Sequence, residues 1–442
     1  MSDYMFMLES HLSADQFRVV GGVQELASAA GVSLFLTGGA MRDMLGGFPV
    51  RDLDFTVEGS AIKLARTAEQ KLQAEILSTD DLRKSVELRF PSGITAEIGT
   101  AHSERFARSG AKPQIAPATI HEDLRTRDFT INAIALSLNK ASLGLLIDPT
   151  NGVGDIERKE LRAIHNYSFY DDPSRLLRMV RFRVRLGYTV DERTKLQAEN
   201  AREAEMLTKI TPEALAAELR HIAKEPQSAD LMQALEQEGL LTLYSPALTG
   251  PKTNQPGFVK LQKARQLPPF GWDLRANCLP LFLSVLLEKL NPKEVQALFK
   301  TVALEKSEVA SVQKLEAAAK KLDRDLKSPK LQKPSQLYRV LVKTPGEQIL
   351  YLAVYSAQRI VQDRIRNYFQ KYLPAAAEIT DEVVAAAGVV PGSPKFQKTK
   401  EEMILKRLDA RPKKPEPVPE PAPPPPPMSS FARGPGPRAP RA

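Results

Sequence analysis

Between Ser33 and Glu58 a short apolar run leads into Gly38-Gly39, then Arg42-Asp43, then Asp52-Leu53-Asp54. Side chains two apart on a strand share a face, so Asp52 and Asp54 project together while Leu53 and Phe55 turn away. Carboxylates placed this way suit Mg²⁺, a hard ion that takes oxygen ligands and keeps waters for a triphosphate. The paired glycines let the backbone approach a bulky anion and adopt φ > 0. A helix opening behind them points unpaired N–H groups at the same spot, which suits a phosphate. Each piece alone is commonplace: most Asp-x-Asp pairs are solvated strand edges, and most Gly-Gly pairs before a helix are ordinary turns. Their order within one stretch favours nucleotidyl transfer.

The series continues downstream with Arg127-Asp128-Phe129-Thr130-Ile131-Asn132-Ala133, then Asp148-Pro149-x-x-Gly152-x-x-Asp155, then Asp171-Asp172-Pro173-Ser174-Arg175. With these motifs in this order, from about residue 34 to 190, the chain resembles the class II tRNA nucleotidyltransferases and bacterial poly(A) polymerases. These form the template-independent branch of the polymerase-β-like superfamily. The resemblance implies that Gly38, Gly39, Arg42, Asp52 and Asp54 serve metal and triphosphate. It gives Arg127, Asp128 and Asn132 the triphosphate and the ribose, and Asp172 and Arg175 the incoming base. The third motif would link head to neck. Two positions depart from the family pattern: Thr126 stands where an arginine usually precedes Arg127, and Asp171 replaces a glutamate. Neither removes a group that the chemistry requires.

The same residues suffice to write the reaction. Asp52 and Asp54 hold metal ions that neutralise the triphosphate and acidify an RNA 3′-hydroxyl. That hydroxyl attacks the α-phosphorus and pyrophosphate leaves; positioning and charge stabilisation do the rest, with no nucleophilic side chain. Glu97, in the strand-like run Ile94–Gly99, is a candidate third carboxylate. For base choice, a carboxylate accepts from an exocyclic amine and a guanidinium donates to ring nitrogen or carbonyl. Cytosine and adenine offer that amine where uracil and guanine present a carbonyl, so Asp172 and Arg175 on one helix face would accept C and A. The helix expected over Pro173–Leu186 carries a stripe of Arg175, Arg178, Arg181 and Arg185 beside an apolar seam of Leu176, Leu177, Val180 and Val184. Such a stripe predicts a buried helix with one face toward phosphates.

These groups need a frame. Strand-like runs at Ser33–Leu36, Asp54–Val57, Val86–Phe90, Thr95–Ile98, Ile134–Leu138 and Leu145–Ile147 alternate with helical stretches. They predict an α/β nucleotidyltransferase head with a mixed sheet over residues 1–160. Beyond Asp155 the apolar period becomes three to four, which predicts an all-α remainder. It divides into a neck (161–225) for base recognition, a body (226–330) and a tail (331–410) that the resemblance assigns to RNA. Helices are expected at Thr194–Leu207, Pro212–Ala223, Ala229–Glu238, Leu279–Lys289, Pro292–Phe299, Lys306–Asp325 and Gly346–Tyr372, and a loop at Gly250–Pro256. Residues 411–442 hold 13 of the 34 prolines and predict a disordered extension, open to weak RNA or protein contacts.

Composition narrows the class. The 442 residues carry a net charge of +9, suited to a polyanionic partner, but residues 395–442 alone supply eleven Lys/Arg against five Asp/Glu. The single cysteine, Cys278, excludes an internal disulfide framework and a zinc–cysteine cluster and points to a reducing, cytoplasmic setting. No signal peptide is evident at the start, and no run approaches the ~20 apolar residues of a membrane span. The five histidines lie at or before His221, without ligand spacing. The expected activity is addition of CCA to the tRNA 3′ end from CTP and ATP with Mg²⁺. A-only addition and poly(A) synthesis stand behind it. CC-only addition is disfavoured by the full-length Thr100–Thr119 segment. A non-catalytic RNA-binding protein on the same fold would show damage at Asp52, Asp54, Arg127, Asp128, Asp172 or Arg175, and all six are intact.

Overall fold

The computed structural model describes residues 3–108, 111–269, 274 and 276–410. The Pro-rich extension expected beyond residue 410 lies outside them. In chain order the head contributes strands β1 (Ser33–Thr37), β2 (Leu53–Glu58), β3 (Glu75–Asp80), β4 (Ser85–Arg89), β5 (Thr95–Thr100), β6 (His102–Arg105), β7 (Gln114–Pro117), β8 (Ala135–Ser137) and β9 (Leu146–Ile147). Seven of them form one sheet in the order β3-β4-β5-β2-β1-β8-β9, and β6 and β7 form a separate hairpin. All neighbours in the large sheet are antiparallel except β2 and β5, which run parallel.

Period-two patterning fixes the sheet's two faces. Leu53, Phe55 and Val57 of β2, Val86 and Leu88 of β4, and Ala96 and Ile98 of β5 are buried in one core with helices Ala14–Ala30 and Ala61–Leu72. The opposite face is closed at one end by helix Ile120–Thr126 over Phe35, Ala133, Ala135 and Ile147. Elsewhere it carries the polar alternates of β2, β4 and β5. Helix ends follow local chemistry: Ser13 with Gln16, and Thr119 with Glu122, form reciprocal capping boxes, and Gly31 ends the first long helix at φ +65°.

Sequence and structure differ in places with a physical reason. Strand β3 escapes a periodicity reading because it is an edge strand with no buried side chain. The Gly250–Pro256 segment is a 3₁₀ turn at Gly250–Thr253 that runs straight into helix Gln255–Arg265, with Pro256 in its first turn. The helix expected over Gly346–Tyr372 breaks after Tyr355 and resumes at Arg359. There Ser356 donates to Asp323 (2.8 Å), and the Gln362 amide donates to the carbonyls of Leu352, Ala353 and Ser356. Among the described residues no helix is long and apolar enough to cross a membrane.

Helix Arg175–Leu186 joins the two halves. Leu176, Met179, Phe182 and Leu186 belong to the head core, whereas Leu177 and Val180 belong to the helical core that runs on to Leu408. Its arginine stripe is buried beside them and meets protein carboxylates. Glu218 of helix Pro212–Lys224, 1% exposed, accepts from Arg178 Nε (2.9 Å) and Arg181 Nε (3.2 Å). Glu225 takes Arg181 (3.4 Å) and, from the head, Arg51 (3.4 Å). Arg185 donates to Asp43 (2.6 Å). Burial works against charge on Glu218, yet Arg181 and Arg178 outweigh it and hold the carboxyl down at about 2.

Glu218→Gln removes the charge these arginines share while keeping its shape. The expected loss is about 3 kcal/mol of unfolding free energy at neutral pH, the order found when one partner of a buried pair is removed, measured by urea titration. The folded-state pKa is depressed, so Glu218 stabilises above the ordinary carboxylate range and loses that contribution as pH falls from 4.5 to about 2. The gap between variant and wild type should therefore narrow across that window. An undiminished gap in acid would refute the assignment.

Candidate active site

Asp54 and Glu97 face each other in register across the parallel β2–β5 pair, and Glu87 of β4 lies opposite Glu97 on its other side. Residues directly opposite on neighbouring strands share a face, so three carboxylates form a row across the open side of the sheet. Asp52 sits one residue ahead of β2 and is exposed. Burial pushes the Asp54 carboxyl up to about 7, and repulsion from Glu97 and Asp52 adds to it, against the Gly39 N–H and Arg127.

The glycine pair makes room for this carboxylate. Gly38 begins helix Gly38–Leu45 at φ +63°, and the Gly39 N–H donates to Asp54 Oδ2 (3.1 Å). A Cβ on Gly38 would stand 3.1 Å from Asp54 Oδ2 and 3.2 Å from Arg127 Nη1; one on Gly39 would stand 3.2 Å from Asp54 Oδ2. Gly38 and Gly39 therefore let Asp54 and Arg127 close on the backbone.

Beside them lies the Arg127–Ala133 segment. Arg127 donates from Nη2 to Thr56 Oγ1 (3.1 Å) and from Nη1 to the Asn132 carbonyl (3.3 Å). Asp128 is buried; its Oδ1 accepts from Asn132 Nδ2 (2.9 Å) and its Oδ2 from Arg178 Nη1 (3.0 Å). Burial opposes its charge, but Arg178 and the Asn132 bond hold its carboxyl at about 2. Asn132 in turn accepts from Arg42 Nη1 (2.6 Å), whose Nε donates to Asp43 and whose guanidinium lies 4.9 Å over the Phe182 ring.

Asp172 and Arg175 do not share a helix face, because the helix starts at Arg175 and Asp172 precedes it in extended conformation. Asp172 Oδ1 accepts from the Ser174 N–H (3.0 Å) and hydroxyl (2.5 Å), leaving Oδ2 3.9 Å from Arg175 Nε. That Nε is buried without a hydrogen-bond partner, while Nη1 and Nη2 are fixed on Ser168 Oγ (2.8 Å) and the Thr126 carbonyl (3.3 Å). Asp148 caps helix Gly152–Arg158, and Asp155 accepts from Thr130 Oγ1 (2.6 Å), which pins the third motif to the second.

The expected residues thus divide. Asp52, Asp54, Glu97, Gly38, Gly39 and Arg127 converge on the open face of the sheet. Arg42, Asp128 and Asn132 form the hydrogen-bonded wall behind it. Arg178 and Arg181 do not present a free face to phosphates as their spacing suggested: their guanidiniums meet Glu218, Asp128 and Glu225, because a helix packed on two apolar sides leaves its charged groups little solvent. Glu218 and Glu225 escaped the motif reading; carboxylates spaced seven apart on helix Pro212–Lys224 and its C-cap were the available sign.

Among the described residues no three His, Cys, Asp or Glu side chains form a ready-made metal cage. The donor set nevertheless fits Mg²⁺: it is all oxygen, and repulsion on Asp54 leaves a charge that a cation would balance. Mg²⁺ needs only one or two protein carboxylates when phosphates and waters complete its shell.

Residues 34–162 match the family model of the Poly A polymerase head domain. The chain is 32% identical to the A-adding tRNA nucleotidyltransferase of Halalkalibacterium halodurans over 278 residues, 61% of this chain and 64% of that protein. It is 34% identical to the CC-adding tRNA nucleotidyltransferase of Deinococcus radiodurans over 229 residues, 50% of this chain and 58% of that one. The chain spans less than two thirds of the length of the curated relatives it matches. In fold it is similar to the solved apo form II of a CCA-adding enzyme, with TM-score 0.55 and 23% identity over 93% of this chain and 96% of that one.

If the carboxylates repel one another, Asp54→Asn should raise the stability of metal-free protein by about 1 kcal/mol, the gain usual when a strained functional group is neutralised. Thermal melts in chelator measure it, and added Mg²⁺ should stabilise the wild type but not the variant. A variant no more stable than wild type in chelator would show that the repulsion is absent.

Proposed function

We propose that this chain is a template-independent nucleotidyltransferase that extends the 3′ end of tRNA with C and A from CTP and ATP, releasing pyrophosphate. The observation that carries the reading is Asp54 opposite Glu97, under the Gly38-Gly39 turn and beside Arg127, within a stretch that matches the Poly A polymerase head domain. Asp52, Asp54 and Glu97 would hold Mg²⁺. Such an ion, when bound, supplies charge neutralisation at the triphosphate and a lowered pKa for the attacking hydroxyl.

The chain's own residues do the positioning. Arg127 keeps its guanidinium against Gly38 and offers the phosphates a fixed donor and charge, which is worth more than a mobile one. The Asp128–Asn132–Arg42 wall keeps that side of the site rigid without bringing a new charge into it. Asp172 Oδ2 accepts from the exocyclic amine of cytosine or adenine. The unpartnered Arg175 Nε–H beside it donates to the ring nitrogen. Uracil and guanine bring a carbonyl to Asp172 and are refused, since an acceptor facing an acceptor is left unpaired once the base covers it.

A second reading, addition of the terminal A alone, is favoured by a specific observation: three curated relatives are named A-adding tRNA nucleotidyltransferase. Both readings share the adenylate step. Labelled CTP and ATP, supplied with Mg²⁺ to transcripts ending at the discriminator base, at C and at CC, separate them. Stepwise C, C and A on the first is the expected result. Extension of the CC-ended transcript alone, by one A, establishes the second reading, and long A tails on any RNA mean poly(A) synthesis. Asp52→Ala combined with Asp54→Ala should bring incorporation to background while RNA binding persists in a gel-shift assay. Arg175→Ala should admit UTP or GTP, and unchanged selectivity would remove Arg175 from base reading.

A further inference from the structure

Arg127 is held from behind by a group that no motif reading singled out. Asp123 lies on helix Ile120–Thr126, 4% exposed, and its Oδ1 accepts from Arg127 Nε (2.9 Å) and pairs with Nη2 (2.8 Å). Its other oxygen accepts from the backbone N–H of His102 (3.1 Å) and lies 3.8 Å from that imidazole's Nδ1. His102 opens the β6–β7 hairpin; its Nδ1 is 2.7 Å from the Thr100 carbonyl and its Nε2 is 3.6 Å from Glu104. Glu104 accepts from Arg83 Nε (2.9 Å), in the turn between β3 and β4. From the cleft outward, Arg127, Asp123, His102, Glu104 and Arg83 alternate in charge when the imidazole is protonated. Glu104 is the first of the influences that favour that state.

We propose that Asp123 is a positioning residue that aims Arg127 at the triphosphate, and that His102 ties the β6–β7 hairpin to this aim. The proposal rests on the triphosphate role given to Arg127 above. A guanidinium has five N–H groups in a fixed fork. Asp123 and Thr56 engage Nε and Nη2, and the Asn132 carbonyl engages one N–H of Nη1. The edge left over, among the described residues, is that of Nη1 on the side of Gly38. Asp123 thus selects which edge of Arg127 meets substrate, and it lowers the freedom the side chain must surrender on binding. Because its second oxygen is held by the first residue of the hairpin, a shift of β6 moves the Arg127 anchor as well.

The test is steady-state kinetics of the full chain on the CC-ended transcript with ATP and Mg²⁺, for Arg127→Ala, Asp123→Asn and the double variant. Each single change should raise KM for ATP about tenfold, with kcat and KM for tRNA within about threefold of wild type. The double variant should be no worse than Arg127→Ala alone, since residues acting through one contact are non-additive. Independent, multiplying effects of the two changes would overturn the proposal, as would an equal rise in KM for tRNA. If Arg127→Ala raises KM for ATP and Asp123→Asn does not, the positioning role falls and the triphosphate reading stands. If Arg127→Ala leaves KM unchanged, both fall. His102→Gln covers the case in which Asp123→Asn fails to fold. It should raise KM for ATP by a smaller factor, and only where Arg127 is present. The same rise in the Arg127→Ala background would overturn the link to the hairpin.

Discussion

Everything else in this structure depends on burying the arginines of helix Arg175–Leu186. The helix gives one apolar side to the sheet of the head and another to the helical half, so only a narrow strip of it reaches solvent. A buried guanidinium without a partner is prohibitive; Glu218 stands between Arg178 and Arg181, with Asp128 and Glu225 on their far sides. Replacing the whole cluster with apolar side chains could pack as well. What the ions add is direction: each guanidinium must meet its carboxylate at one distance and angle, which fixes the rotation of the helix about its own axis. Arg175 and Asp172, at its start, inherit that rotation.

The two charged regions of the molecule follow opposite rules. Around helix Arg175–Leu186, Glu218 and Asp128 are each met by guanidiniums that hold them ionised against burial. On the open face of the sheet, Asp54 has Glu97 and Asp52 as neighbours and sits raised. Balanced charge makes a rigid wall, while the carboxylates of the open face leave negative charge that a cation would balance. The Asp128–Asn132–Arg42 wall joins the two regions, so the rigid cluster braces the frustrated one.

Much of this was legible in the sequence, and the exceptions have physical causes. The Asp-x-Asp strand, its glycine turn and the alternation of β4 and β5 stand out because period-two burial leaves a plain trace. That Glu97 would lie opposite Asp54 was not legible, since parallel pairing of β2 with β5 is a matter of topology, and intervening residues carry no mark of it. Arg178 and Arg181 misled for a different reason. A basic stripe looks the same whether it faces a polyanion or a protein carboxylate, and Glu218 lies some 40 residues downstream, Asp128 50 upstream. Asp123 was hidden beside the Arg127 motif, four residues ahead of the arginine it holds.

The pairing of Arg185 with Asp43 joins residues 142 apart in the chain, and that of Arg178 with Asp128 spans 50. During synthesis the sheet and its helices leave the ribosome well before helix Arg175–Leu186 does. Until then Asp128 sits in a nascent head without Arg178, Asp43 has Arg42 but not Arg185, and Phe182 is missing from its core. Local strand pairing can begin early, but completion of the head waits for a segment of the following domain. Completion of the sheet's open face is thereby tied to the arrival of helix Arg175–Leu186.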